Sequence, residues 1–172
     1  MYQVGDVVFY ENTGACRITD ISAQSVPDTA ENRLYYTLSP IFQECIIRTP
    51  VDNGKVFMRP IISKEEAERL IDTIPSIQAE PFHGKANSEL TEHYKELIST
   101  YDCMDLIILT MSIYAKKQEA EENKRKFGTV DERFMRRAEE LLYGELSVAL
   151  EIDRADVQSY ISSRVSVLRE NA

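Results

Sequence analysis

Residues 4–21 read VGDVVFYENTGACRITDI, and this stretch decides how the chain begins. Two apolar runs, Val7-Val8-Phe9-Tyr10 and Ala15-Cys16-Arg17-Ile18, flank Glu11-Asn12-Thr13-Gly14. Asn and Gly reach positive φ at little steric cost, so the pattern predicts a β-hairpin whose turn rests on Asn12 and Gly14.

The β grammar continues outward from this hairpin. A polar loop, Pro27-Asp28-Thr29-Ala30-Glu31-Asn32, leads into Arg33-Leu34-Tyr35-Tyr36-Thr37-Leu38, which is rich in strand formers. Ser39-Pro40 is expected to break it. Glu44-Cys45-Ile46-Ile47-Arg48-Thr49 reads as another strand closed by Pro50, Asp52-Asn53-Gly54 as a turn, and Val56-Phe57-Met58 as a short fifth strand. Five short strands in so few residues predict a twisted SH3-like or Tudor-like barrel over residues 1–58.

From Ser63 the periodicity becomes helical, so residues 59–172 are expected to form an all-helical region of about five helices and the whole an α+β protein. Ser63-Lys64-Glu65-Glu66 has the form of a capping box, followed by Ala67, Leu70, Ile71 and Ile74 up to Pro75. Residues 75–87, with Pro75, Pro81, Gly84 and Asn87, read as a loop. Ser88 is placed to cap a helix through about residue 99, and Asp102 one from 103 to about 123. Thr129-Val130-Asp131-Glu132 repeats the capping-box form. It opens a helix with Phe134, Ala138, Leu141, Leu142, Leu146 and Leu150 on one stripe. Asp153 starts a last helix containing Val157, Ile161, Val165 and Leu168.

Composition narrows the function classes. The chain has 172 residues and a net charge of −9, so bulk electrostatics does not favour nucleic acid. Only residues 116–137 are basic, with eight Lys/Arg against five Asp/Glu. Asp6 and Glu11 interrupt the first apolar residues, so no signal peptide is expected. The apolar run 104–115 is too short to span a bilayer. Cys16, Cys45 and Cys103 are scattered, which fits plain thiols in a reducing cytoplasm rather than a disulfide framework.

Catalytic signatures are absent. His83 and His93 have no cysteine at metal spacing, and Glu92-His93 lacks the second histidine of a zinc-protease helix. Gly84-Lys85-Ala86 resembles the end of a phosphate loop, but position 79 is Ala and position 86 offers no hydroxyl. No enzyme activity, metal or cofactor is therefore expected.

The order of parts is more specific than any one motif. Val4-Gly5-Asp6 with Val7-Val8-Phe9-Tyr10 and Gly14, then Arg48-Thr49-Pro50-Val51, Arg59-Pro60-Ile61-Ile62-Ser63 and Glu145-Leu146-Ser147-Val148-Ala149-Leu150 follow one another at fitting intervals. Over roughly residues 2–152 this arrangement resembles the CarD/CdnL family of bacterial transcription regulators. The N-terminal part also resembles the RNA polymerase-interacting module of the transcription-repair coupling factor. The resemblance implies a Tudor-like domain that docks on the RNA polymerase β subunit, and a helical domain that contacts promoter DNA at the upstream edge of the transcription bubble. An unpaired strand edge suits such docking, because it can accept a partner strand. The expected edge is Cys45, Ile46, Ile47, Arg48, Thr49 and Pro50, with Arg48 at the position of a family arginine that contacts polymerase. Its alternative role is that of a solvated strand residue.

The DNA-facing part departs from the family. Relatives often carry a tryptophan wedge near the start of the second helix, but this chain has no Trp. Aligning on Tyr94-Lys95 puts Leu90 there, with Glu92 and His93 where relatives are basic. The remaining DNA-contact candidates are Leu90, Lys95, Lys116, Lys117, Lys124, Arg125 and Lys126, with Arg133, Arg136 and Arg137 nearby. A solvated, salt-bridged helix end is the alternative for this patch. The expectation is thus a cytoplasmic regulator that binds polymerase and touches promoter DNA weakly. Its rival is a protein-only adaptor that uses the barrel on another partner.

Overall fold

Residues 1–171 are described by a computed structural model, in which an antiparallel five-stranded sheet precedes five helices. β1 (Val7–Tyr10) and β2 (Gly14–Ser25) form the expected hairpin, paired from Val7↔Arg17 to Tyr10↔Gly14. Its turn differs from expectation. Residues Glu11–Thr13 make a 3-10 turn, and only Gly14 takes positive φ, at 86°. One left-handed residue after a helical turn reverses the chain, so Asn12 need not leave the ordinary region.

β2 continues past β1 and pairs with β3 (Asn32–Pro40) as far as Ser25↔Asn32. Pro40 ends this strand rather than preceding its end, since it pairs with Cys16 and needs no N–H at the terminus. A register shift between Ile18 and Asp20 marks a bulge, where the Thr19 hydroxyl donates to the Thr37 carbonyl at 3.2 Å. Such a bulge sharpens the twist of the long strand. β4 (Ile47–Pro50) and β5 (Met58–Pro60) complete the sheet in the order β4-β3-β2-β1-β5. Val8, Tyr10, Cys16, Ile18, Tyr36 and Leu38 form the core beneath it, packed by Tyr2, Ile21, Ile47, Val51, Val56 and Met58.

The helices are α1 (Lys64–Thr73), α2 (Asn87–Ile98), α3 (Cys103–Glu122), α4 (Thr129–Leu150) and α5 (Val157–Glu170). Two expected caps form. The Ser63 hydroxyl accepts from the Glu66 N–H at 3.1 Å, and Asp102 accepts from Met104 and Asp105 at 2.9 and 3.2 Å. Two expected caps do not. Ser88 lies inside α2, whose N-cap is Ala86, and Glu89 instead accepts from the Lys85 N–H at 3.0 Å. Thr129 is the first residue of α4 and Gly128 is its N-cap, with no side-chain cap bond.

The chain divides into two compact units, Met1–Ile62 and Ser63–Ala172. β5 runs from Met58 to Pro60 and belongs to the first. Within the second unit Leu106, Ile107, Leu109 and Ile113 of α3 pack with Leu141, Leu142 and Leu146 of α4, all nearly inaccessible to solvent. Arg164 on α5 forks onto the Asp72 carboxylate of α1, with one of its two bonds at 2.9 Å, and lies 3.9 Å from Glu68.

Candidate functional site

β4 terminates one end of the sheet, so only one of its sides is paired. Its register is Leu38↔Ile47, Thr37↔Arg48, Tyr36↔Thr49 and Tyr35↔Pro50. Period-2 alternation sends Ile47 and Thr49 inward, where Thr49 is 2% exposed, and leaves Arg48 outward in solvent. The strand is shifted from its expected start. Residues 41–44 bend the chain back from β3, so Cys45 and Ile46 precede the first ladder pair, both exposed, Ile46 at 72%. Pro50 tolerates the final edge position, and the Val51 N–H resumes bonding to the Leu34 carbonyl at 3.0 Å. Just beyond, Arg33 of β3 binds Asp52 at 2.8 Å and holds that carboxyl below its usual range.

The open side of β4 therefore offers backbone donors and acceptors, an exposed guanidinium and an apolar side chain at its entry. The cysteines differ in exposure. Cys16 is fully buried, and burial first, then the proximity of Cys45, pushes its thiol up to about 12; Cys45 is exposed at the mouth of β4.

The helical candidates sort into withdrawn and free. Leu90 is 7% exposed and part of the helical core, so its side chain is not presented to a duplex. The 3.6-residue spacing that aligns Leu90 with Tyr94 also carries both to the buried face of α2. Lys116 is withdrawn as well. Its ammonium reaches Asp131 at 3.0 Å with only 16% of its side chain exposed. The same carboxylate oxygen accepts from the Tyr94 hydroxyl at 2.6 Å, so α2, α3 and α4 meet at one buried carboxylate. Burial, then the bond to Asp131, raises the Tyr94 hydroxyl well above the usual tyrosine range and keeps it a donor. Gly128 allows this approach, because a Cβ there would lie 2.8 Å from Asp131 Oδ2.

Lys117 is half-buried, with its ammonium 5.9 Å from the Phe127 ring centroid. On α4, Arg136 pairs with Glu132 at 3.5 Å, Arg137 with Glu140 at 3.4 Å, and Arg133 lies 5.1 Å over Phe134. Lys95 is exposed on α2, apart from the others in sequence. Lys124, Arg125 and Lys126 are exposed together just past α3. Lys124 takes the left-handed conformation at φ 53°, and the Arg125 N–H donates to the Ala120 carbonyl at 2.7 Å, closing the helix. Cations at a helix C-terminus meet the negative end of the backbone dipole, which gives this cluster a local structural role too.

Both histidines take part in tying the segment between α1 and α2 to the helices. His93 stacks on Phe82 with centroids 3.7 Å apart, and His83 Nε2 lies 3.2 Å from Glu119. Sequence reasoning missed Asp131 as a hub, reading it only as part of a cap. It also missed the Arg164–Asp72 tie across 92 residues, for which no local signal exists.

Residues 2–62 match the family model of the CarD-like/TRCF RID domain. The chain thus carries a CarD-like/TRCF RID domain. The matched segment coincides with the compact sheet unit, so the CarD-like domain and the unit that presents β4 are one. A domain of this kind points to RNA polymerase binding, through the β subunit, and to transcription regulation. The CarD family is regulatory and non-catalytic. Among the described residues no helix is long and apolar enough to cross a membrane.

Proposed function

We propose that this protein is a CarD/CdnL-family regulator of transcription that adds the open side of β4 to a strand of the RNA polymerase β subunit, with Arg48 as the charged anchor. The observation that carries the reading is the coincidence of a free strand edge with an exposed arginine inside the CarD-like domain. Strand addition draws affinity from main-chain hydrogen bonds and specificity from alternate side chains. On β4 the outward side chain is Arg48. Ile46 adds apolar contact at the entry, and Cys45 and Pro50 bound the site. Ile47 and Thr49 support it from the core side.

The test is binding of the full chain to a β-subunit fragment by calorimetry. Arg48→Glu should cost about 1.5–3 kcal/mol, the range for a hydrogen bond to a charged group. Its folding stability should stay within about 0.5 kcal/mol of wild type, because the side chain is exposed. Unchanged affinity would remove Arg48 from the site.

The helical unit acts separately in this reading, as a DNA-facing domain whose contact is weak and not base-specific. Its cations for phosphate are Lys124, Arg125 and Lys126, with Lys95 and Lys117 contributing less. The protein-only adaptor remains as a second reading, favoured by the burial of Leu90 and the sequestering of Lys116. That adaptor would use the sheet domain on a partner other than polymerase, so a tagged chain that pulls down no polymerase subunits and binds no forked promoter fragment would decide for it.

A further inference from the structure

The helical unit holds a cleft of about 670 Å³ lined by α1, α3, α4 and α5. Its floor is aliphatic: Ile71, Ile107, Leu142, Leu146 and Val165 line it and are themselves buried. Met111 and Met135 stand half-buried on the walls, and Tyr114, one turn on from Met111, is 51% exposed. Methionine side chains adapt to irregular apolar shapes, so such walls suit a flexible occupant.

The cleft is charged towards one end only. Along α4 its lining runs from Glu132, Arg136 and Glu139 to Leu142 and Leu146. The short link between α3 and α4 brings Lys117 beside Phe127 and Glu139, whereas Ile107 lies at the opposite end of α3. α5 begins just after α4 ends, so Gln158 and Ile161 belong to the apolar end, and Arg169 stands about three turns beyond Gln158. Most of these charges answer one another. Arg136 pairs with Glu132 at 3.5 Å. Burial raises the Glu139 carboxyl, and the Lys117 ammonium opposes that rise. Arg169 is exposed, and among the described residues no ion pair engages it.

We propose that this cleft binds a free aliphatic carboxylate, a single-chain anionic amphiphile, with its tail over Ile107, Leu142 and Leu146 and its head against the Arg169 guanidinium. The volume lies within the range of small-ligand sites, about 300–1,000 Å³. A three-turn helix with its side chains is about 10–12 Å across and about 16 Å long, so it displaces on the order of 1,200 Å³ and most of it would lie outside. From Glu132 to Leu146 the cleft follows α4 for about 21 Å, which suits an extended chain. Charge selects the head. The unanswered group is a guanidinium, which meets a carboxylate through two parallel hydrogen bonds. An alkyl ammonium would find Glu139 already opposed by Lys117. The site lies in the helical unit and rests on no property of β4.

Calorimetric titration of the full chain with dodecanoate, kept below its micelle concentration, tests this. Wild type should bind one equivalent saturably. Arg169→Glu should weaken binding at least about tenfold, the loss expected for a bond between charged groups. Arg169 is exposed, so this variant should keep the wild-type melting point. Dodecanol has the same tail without the charge and should bind wild type and Arg169→Glu alike. Met135→Trp fills the cleft from a half-buried wall position and should abolish binding of both compounds with the helical circular dichroism retained. Vesicles of phosphatidylglycerol separate a free carboxylate from a membrane surface, and the chain should stay in the supernatant when they are pelleted. Absence of saturable dodecanoate binding would overturn the proposal, as would equal affinity in Arg169→Glu or sedimentation with the vesicles.

Discussion

The sheet unit and the helical unit treat their polar groups in opposite ways. In the sheet unit the groups left over are backbone groups. A strand at the end of a sheet cannot satisfy its outer N–H and C=O groups from within, so β4 keeps them available, with Arg48 beside them. In the helical unit the backbone is satisfied internally and the side chains carry the charge. There the fold consumes much of it: Lys116 on Asp131, Arg164 on Asp72, Arg136 on Glu132 and Arg137 on Glu140. A basic stretch in a helical sequence is therefore a poorer guide to a binding surface than an edge strand. Helical cations can be claimed by nearby carboxylates, and a sheet edge has no internal claimant.

The strongest way to test this contrast is to remove the carboxylate that claims most. Asp131→Ala leaves the Lys116 ammonium and the Tyr94 hydroxyl without their shared acceptor in a region where Asp131 itself is 4% exposed. Breaking a buried ion pair by deleting one partner costs roughly 3–5 kcal/mol, and the partial exposure of Lys116 puts the expected loss near the lower end. Tyr94→Phe removes only one bond and should cost about 1–2 kcal/mol. Urea unfolding followed by circular dichroism at the helical minimum measures both. The sheet unit should keep its affinity for the β-subunit fragment in both variants, because β4 draws on neither residue. A loss under about 1 kcal/mol for Asp131→Ala would mean that the hub is decorative and Lys116 remains available.

This hub also marks the limit of reading the sequence. The sheet was legible because its information is local. Alternation in Ile47-Arg48-Thr49 assigns inside and outside by parity, Gly14 supplies the one positive φ of the first turn, and the Pro-containing ends bound the strands. Ser63 and Asp102 were legible for the same reason, since a cap bonds within three residues. Thr129-Val130-Asp131-Glu132 has the same local form, yet its Asp answers to Tyr94 and Lys116, 37 and 15 residues away. Leu90 follows the same logic. Alignment with a family wedge is a statement about sequence position, whereas its burial is set by the turn it shares with Tyr94 and Ile98. Arg48 was readable as outward from the strand alone, but its place at the sheet's edge depended on strand order, which no residue encodes locally.

A smaller effect is expected at the second tie. The Arg164 guanidinium beside Asp72 lowers that carboxyl from its ordinary 3.8. A carboxylate with a depressed folded pKa contributes stability that is fully present above its unfolded value and is lost as pH falls through the folded one. Wild type should therefore lose stability below about pH 4, and Asp72→Asn should flatten that limb while lowering stability at pH 7. Both side chains are about a third exposed, which limits the change to at most about 1 kcal/mol. Thermal melts between pH 3 and pH 7 check the sign. A wild-type acid limb identical to that of Asp72→Asn would show that solvent already screens the pair completely.

The smallest effect concerns the cations the helical unit leaves unclaimed. Lys124, Arg125 and Lys126 stand exposed beyond the end of α3, but Glu119, Glu121 and Glu122 precede them on the helix and the chain as a whole is acidic. Phosphate binding there must work against a repulsive background, so affinity for a forked promoter fragment should be weak and uniform across sequences. Each phosphate neutralised releases counterions and adds about −0.9 to the slope of log K against log salt. Replacing the three by Ala should flatten the slope by about that amount for every phosphate they neutralise, while Lys116→Ala should leave it unchanged and lower stability instead, because Lys116 answers to Asp131. Fluorescence anisotropy over a salt series, with melting points for each variant, separates the two behaviours. If Lys116→Ala flattens the slope as much as the triple change does, then Lys116 leaves Asp131 for phosphate on binding. The contrast between a fold that consumes its cations and an edge that stays open would then fail at this point. A slope untouched by the triple change would instead free this face from any nucleic-acid role and leave β4 as the site through which the protein acts.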